Sequence, residues 1–141
     1  MYKIKNTRLI SESRISIYTK YFIVPLYDLA KTSYFRDVFG EEERDKFNVV
    51  VVNINADFLA PVFFSDELMI ETTVIHLGHK SLTMLQRAFN KASGVLKCQC
   101  RTVLVGYDIL TKEPMEIPMA YKQAICDYEG KTLSELSQPI Q

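Results

Sequence analysis

Apolar and polar residues alternate along much of this chain, and the alternation predicts four consecutive strands. They cover residues 47–61, 66–77, 81–90 and 95–107. Short links containing glycine, residues 77–80 and 90–94, are typical of antiparallel hairpins. The last three strands are therefore predicted to form a meander. In the final strand, one face carries Leu96, Cys98, Cys100, Thr102 and Leu104.

The strand at residues 47–61 has two different faces. Fully extended, it would be about 50 Å long, whereas a domain of this size is only about 35 to 40 Å across. The strand is therefore expected to bend, and its polar face predicts a sheet edge that pairs with a second copy of the chain. Val50, Val52, Ile54, Ala56 and Phe58 form one face, and Asn53, Asn55 and Asp57 the other.

A single helix is predicted at residues 25–39. Pro25 suits the first helical position, where its missing N–H costs nothing, and Gly40 suits the left-handed position just past the end. The predicted apolar side consists of Leu26, Leu29, Ala30, Ser33 and Val38. One helix with such a stripe has to lie on the sheet.

The order of these elements predicts one α+β domain over residues 1–141. Its core is expected at about residues 13–118, in the order strand, helix, four strands. Residues 119–141 form a short carboxyl-terminal extension that adds one or two helical turns.

Charge and composition exclude several classes of function. Lysine plus arginine number 17 and aspartate plus glutamate also 17, without runs of like charge, so nucleic acid is not an expected partner. No stretch reaches the roughly 18 apolar residues that span a bilayer, and the amino terminus has no apolar leader segment. A cytoplasmic protein is expected.

The three cysteines fit neither a disulfide framework nor a four-ligand zinc pattern. The alternation places Cys98 and Cys100 on the buried face, where a thiol behaves as a small apolar group. Redox or metal chemistry is the alternative interpretation. No metal site and no cofactor is predicted.

Three segments give the chain a resemblance to the hotdog-fold acyl-CoA thioesterases, over nearly all of residues 15–118. Residues 49–61, VVVVNINADFLAP, resemble the long strand after the central helix of that family. Residues 64–68 with 72–74 and 78–82, and residues 103–108 with Thr111, Pro114 and Pro118, resemble its later strands and its closing segment. The resemblance implies a five-stranded curved antiparallel sheet wrapped around one long central helix, in a homodimer or homotetramer.

The resemblance also implies candidate catalytic chemistry. Residues 17–25, IYTKYFIVP, contain none of the acid, glycine or histidine that precede the helix in the 4-hydroxybenzoyl-CoA thioesterase-like branch. Other branches carry the carboxylate on the helix, and Tyr27-Asp28-Leu29-Ala30 is similar to their Met-Asp-x-Ala segment. Asp28 is the candidate catalytic residue, acting as base or nucleophile beside an oxyanion site at the helix amino end. A charge that merely complements the helix dipole is the alternative.

Substrate contacts are expected at two places. Tyr27, Thr32 and Ser33 can hydrogen-bond a thioester from the helix, although such residues more often pack against the sheet or a partner. His79, Lys80 and Ser81 can donate to the phosphates or pantetheine of the carrier, although ordinary turn residues are equally compatible with the sequence.

Two functions follow from the resemblance. The first is a thioesterase that hydrolyses an acyl-CoA or acyl-carrier-protein thioester, in which coenzyme A or phosphopantetheine belongs to the substrate. The alternative is a hotdog protein that binds an acyl thioester without hydrolysing it, or that carries out a different pathway-specific reaction. Fold by itself does not decide between them.

Overall fold

A computed structural model describes residues 3–8, 19–63 and 65–140. The elements are β1 (Lys3–Arg8), α1 (Thr19–Phe39), α2 (Glu41–Lys46), β2 (Val49–Phe58), β3 (Glu67–Leu77), β4 (Ser81–Asn90), β5 (Leu96–Asp108), β6 (Glu113–Pro114), α3 (Met119–Glu129) and α4 (Leu133–Leu136). The sheet is antiparallel in the order β1-β3-β4-β5-β2, and β6 adds to β5. This confirms the α+β class, the five main strands and the meander of β3, β4 and β5.

Helix α1 packs across the inner face of the sheet. Tyr27, Ala30 and Tyr34 are buried at the i, i+3, i+7 spacing that defines one helix face. Leu29 was predicted on this face, but it is 60% exposed because the buried stripe is centred on these three residues. The inner face of β5 is as predicted, with Cys98, Cys100, Thr102 and Leu104 buried.

The start of α1 differs from the sequence prediction. The helix begins at Thr19, so Pro25 lies in its interior and the prediction that Pro25 starts the helix is wrong. Residues 19–25 are helical, and the first strand of the sheet is β1, at Lys3–Arg8. Residues 17 and 18 lie outside the described part of the chain. Proline inside a helix removes one N–H donor, which here would have bonded to the Tyr21 carbonyl. The sequence pattern alone could not show that the helix continues through a residue without this hydrogen bond.

Strand β2 forms one edge of the sheet and contains a bulge. The pairing with β5 shifts between Val51 and Asn53, so Val52 is an extra residue. The bulge reverses the alternation: Ile54, Ala56 and Phe58 share the inner face with Val51, and not with Val50 and Val52 as predicted. Apolar residues on both sides of the bulge stay exposed, namely Val50, Val51, Val52, Ile54 and Phe58.

The carboxyl-terminal segment is part of the core. A Cβ on Gly106 would come within 2.5 Å of the Met115 carbonyl oxygen, so glycine is needed where this segment crosses β5. Beyond this crossing, Ile117, Ile125 and Leu136 pack in the same apolar cluster as Tyr34. Together with β1, this extends the packed structure beyond residues 13–118, and residues 119–136 contain more helix than the one or two turns expected.

Glu129 joins α3 to both layers. Its Oε2 accepts hydrogen bonds from the Thr73 hydroxyl at 2.6 Å, the Val74 N–H at 3.2 Å and the Tyr34 hydroxyl at 3.3 Å. In the described part of the chain, β1 pairs with β3 as far as Thr72, and the carboxylate accepts from the backbone N–H of Val74, two residues further along β3. The Glu129 side chain is buried, and burial followed by the neighbouring negative charge raises the pKa of Tyr34.

We predict that Glu129→Ala lowers the free energy of unfolding by about 3 kcal/mol, because three donors lose their buried acceptor. Urea denaturation measures this loss. Asp127→Ala, an exposed change on the same helix, should cost no more than about 0.5 kcal/mol. Equal effects of the two substitutions would contradict a structural role for Glu129.

We also predict that β2 pairs with the β2 of a second copy, since its exposed apolar residues lie on a sheet edge. Size exclusion with light scattering should give at least a dimer at micromolar concentration. Ile54→Lys, at a half-exposed β2 residue, should shift the protein towards monomer, whereas Leu110→Lys, at a residue 90% exposed in a loop, should not. A monomeric wild type would overturn the prediction.

Candidate active site

A polar row crosses the inner face of the sheet beneath the middle of α1. Thr72 of β3 is opposite Gln86 of β4, which is opposite Cys100 of β5. Two apolar clusters flank this row, one containing Tyr27, Ile70 and Cys98, the other Tyr34, Val74 and Met84. Buried polar groups in a sheet that is otherwise apolar need partners.

Gln86 supplies the main contact between this row and α1. Its side chain is 1% exposed, and its amide nitrogen donates to the Tyr27 carbonyl at 2.9 Å and to the Thr72 hydroxyl at 3.2 Å. The contact fixes the helix at the residue immediately before Asp28. Gln86 is therefore suited to position that carboxylate relative to the sheet.

Asp28 is an exposed residue of α1. Its carboxylate contacts the Lys31 ammonium at 2.7 Å, with side-chain exposures of 69% for Asp28 and 17% for Lys31. Burial raises the pKa of the Cys100 thiol, opposed by its contact with Thr102 and by the nearby Lys31 ammonium. The Lys31 ammonium that pairs with Asp28 therefore lies near Cys100 of β5.

Asp28 is not at the helix amino end. Because α1 begins at Thr19, Asp28 lies in its third turn, where backbone N–H groups are bonded within the helix. The expected oxyanion site depended on free backbone N–H groups at the helix amino end, and Asp28 does not lie beside those groups. Among the described residues of α1, the side-chain donors that follow Asp28 closely in the chain are Lys31, Thr32 and Ser33, all of them partly buried.

Tyr27 is directed inward, away from Asp28. It is 4% exposed, and its hydroxyl lies beside the Cys98 thiol without a hydrogen bond of normal geometry in the described residues. Burial, followed by the Cys98 contact, raises the pKa of Tyr27. Burial also raises the pKa of Cys98. The buried thiols of Cys98 and Cys100 are packing groups, as the sequence predicted.

The second group of predicted substrate contacts lies far from Asp28 within one chain. His79 and Lys80 are exposed in the turn between β3 and β4, and Ser81 begins β4. Six residues of β3 separate Ile70, which packs with Tyr27, from His76 beside this turn, a distance of about 20 Å. One chain therefore does not bring Asp28 together with His79, Lys80 and Ser81.

Sequence reasoning missed three polar residues that organise this region. Gln86 could have been recognised, because it interrupts an inner face formed by Leu82, Met84 and Ala88. Lys31 carried a weaker signal, its i, i+3 spacing from Asp28. Glu129 gave none, since its partners are more than fifty residues away in the chain.

Two further findings concern the described residues only. They contain no group of three histidine, cysteine, aspartate or glutamate side chains placed to hold a metal ion. They also contain no helix that is long and apolar enough to cross a membrane.

Comparison with known proteins gives a consistent family. A family model described as the thioesterase-like superfamily matches residues 8–125. A search among curated proteins found no match. Three similar solved structures are all thioesterases, at 16 to 20% identity, and at this identity the similarity shows the fold, which is the hotdog fold.

The first is a thioesterase from Thermus thermophilus complexed with coenzyme A and Zn (TM-score 0.75, 20% identity, covering 92% of this chain and 96% of that one). The second is a 1,4-dihydroxy-2-naphthoyl-CoA thioesterase from Synechocystis (TM-score 0.75, 16% identity, 92% and 98%). The third is the 4-hydroxybenzoyl-CoA thioesterase from a Pseudomonas species (TM-score 0.70, 19% identity, 87% and 98%).

We predict that Gln86→Leu lowers the free energy of unfolding by about 1 to 2 kcal/mol, because the buried Thr72 hydroxyl loses its partner and α1 loses a tie to the sheet. Urea denaturation is the measurement. Gln99→Leu, on the other face of β5, should change stability by no more than about 0.5 kcal/mol. A Gln86 variant as stable as wild type would remove the proposed positioning contact.

Proposed function

Because the chain belongs to the thioesterase-like superfamily, we propose that it hydrolyses the thioester of an acyl-CoA or acyl-carrier-protein substrate, with Asp28 as the catalytic carboxylate. The observation that carries this proposal is the position of Asp28. It is an accessible carboxylate, held 2.7 Å from the Lys31 ammonium and one residue after the Tyr27 carbonyl that Gln86 fixes to the sheet.

The chemistry needs one carboxylate and one or more donors. Asp28 either attacks the thioester carbonyl carbon, giving a mixed anhydride that water then hydrolyses, or removes a proton from a water that attacks directly. On both routes the C–S bond breaks and the departing thiolate takes up a proton that originates from the water. Lys31, Thr32 and Ser33 are the described donors on the same part of the helix that can polarise the carbonyl oxygen. Tyr27 contributes packing between α1 and the sheet, since its hydroxyl is buried.

A second copy would complete the site. If β2 pairs with its counterpart, the partner covers the open flank beside Asp28 and excludes water from it, which strengthens electrostatic interactions there. In such a dimer the turn with His79, Lys80 and Ser81 is available to the carrier's phosphates or pantetheine, as the family resemblance implied.

Binding without hydrolysis is the alternative that the geometry itself raises. The Asp28 carboxylate is 69% exposed and already paired with Lys31, and the nearby backbone N–H groups are bonded within the helix. A protein with these features can hold an acyl thioester without cleaving it. Wild-type activity therefore has to be measured before any variant is interpreted.

We predict that the wild type releases thiol from at least one member of a panel of acyl-CoAs and acyl carrier proteins, and that Asp28→Asn reduces kcat/KM about a hundredfold or more. The substitution preserves size while removing the anion, so the thermal midpoint should stay close to that of wild type. Substrate binding should survive.

Asp127→Asn, an exposed change on α3, is the matched control and should retain full turnover. Near-wild-type turnover by Asp28→Asn would remove Asp28 from the mechanism. No thiol release by the wild type from any substrate would favour the binding protein.

A further inference from the structure

A cavity lies beside the β3–β4 turn, away from Asp28. Its volume is about 350 Å³, and it opens between the β3–β4 turn and the carboxyl-terminal helices. A cavity of this size is within the range that small ligands occupy. The residues that line it include His76, Gly78, His79, Lys122, Leu133 and Ser137.

Lys122 is the residue that makes this cavity unusual. Its side chain is 6% exposed, and its Nζ lies 4.0 Å from the nearest carboxylate oxygen, Oε1 of Glu116. That separation is longer than a hydrogen bond, and Nζ makes no hydrogen bond within the described part of the chain. Lys122 lines the cavity, and its ammonium group has three donors that need acceptors. An anion in the cavity would supply them.

The surroundings of Lys122 also favour an anion. Lys122 lies in the first turn of α3, where Pro118 provides no side-chain cap and no acidic residue is present. The helix dipole is positive at this end, so a lysine there is unfavourable by itself. Across the cavity, His76 and His79 add ring nitrogens that can donate hydrogen bonds.

Glu116 is the group that opposes an anion. Its Oε1 is 3.4 Å from Nδ1 of His79 as well as 4.0 Å from Nζ of Lys122, and its side chain is 54% exposed. A half-exposed side chain can rotate into solvent when a ligand enters. It is therefore a competitor for Lys122, and removing its charge should strengthen anion binding.

We propose that this cavity binds a phosphoryl group, with Lys122 as its main ligand and His76 and His79 as further donors. Donors reach the cavity from the helix on one side and from the strand turn on the other, which suits the several acceptor oxygens of a phosphate. The phosphoryl group belongs either to the carrier of the thioester, in which case the inference rests on the proposed function, or to a separate phosphate ester.

The first experiment measures the thermal midpoint in inorganic phosphate against sodium chloride of equal ionic strength. Phosphate should raise the midpoint of the wild type and of Lys131→Met, an exposed lysine near the same helices, because a ligand that binds the folded state stabilises it. Lys122→Met should lose this rise, and Glu116→Gln should bind phosphate several-fold more tightly. His76→Gln, which leaves Lys122 in place, should bind phosphate several-fold more weakly and keeps the test decisive if Lys122→Met does not fold.

The second experiment titrates coenzyme A by calorimetry into the same variants. A loss of about tenfold or more in affinity, limited to the cavity variants, assigns the site to the carrier. Phosphate stabilisation that needs Lys122 while coenzyme A affinity does not change assigns it to a separate phosphate ester. If neither phosphate nor coenzyme A binding depends on Lys122 or His76, the proposal is overturned. Both experiments measure binding alone, so their outcome does not depend on thiol release or on the role of Asp28.

Discussion

The structure depends on one constraint, which is that the long helix α1 has to be buried against one sheet. Tyr27, Ala30 and Tyr34 are removed from water only because β3, β4 and β5 extend beneath them. The carboxyl-terminal helices then complete the apolar cluster around Tyr34. This arrangement leaves β2 at the edge of the sheet, and its apolar residues remain exposed in one chain.

The polar groups of the interior lie where they fix the helix to its surroundings. Gln86 holds α1 at the Tyr27 carbonyl, and Glu129 ties the Tyr34 hydroxyl to the backbone of β3. These two contacts define the height and the rotation of α1 over the sheet, because they are directional whereas apolar packing is not. The position of Asp28 is a consequence of the first contact.

The two polar regions of the molecule differ in chemistry. Asp28 is an accessible carboxylate on α1, paired with Lys31 and suited to activating water or attacking a carbonyl. Lys122 is a buried ammonium beside a cavity, suited to an anion. In a single chain they lie apart, and a long substrate with a thioester at one end and phosphates at the other has the chemistry that both require.

The sequence by itself determined the strands β2 to β5, the antiparallel meander of β3, β4 and β5, and the buried face of β5, because period-two alternation and glycine-containing turns are local properties. Only the tertiary structure decided where α1 begins, which side of β2 faces inward and which polar groups meet. A bulge at Val52 inverts a face without changing composition, and Pro25 is equally compatible with a helix start and a helix interior when packing holds the helix. Gln86, Glu129 and Lys122 act through partners distant in the chain, which no local pattern records.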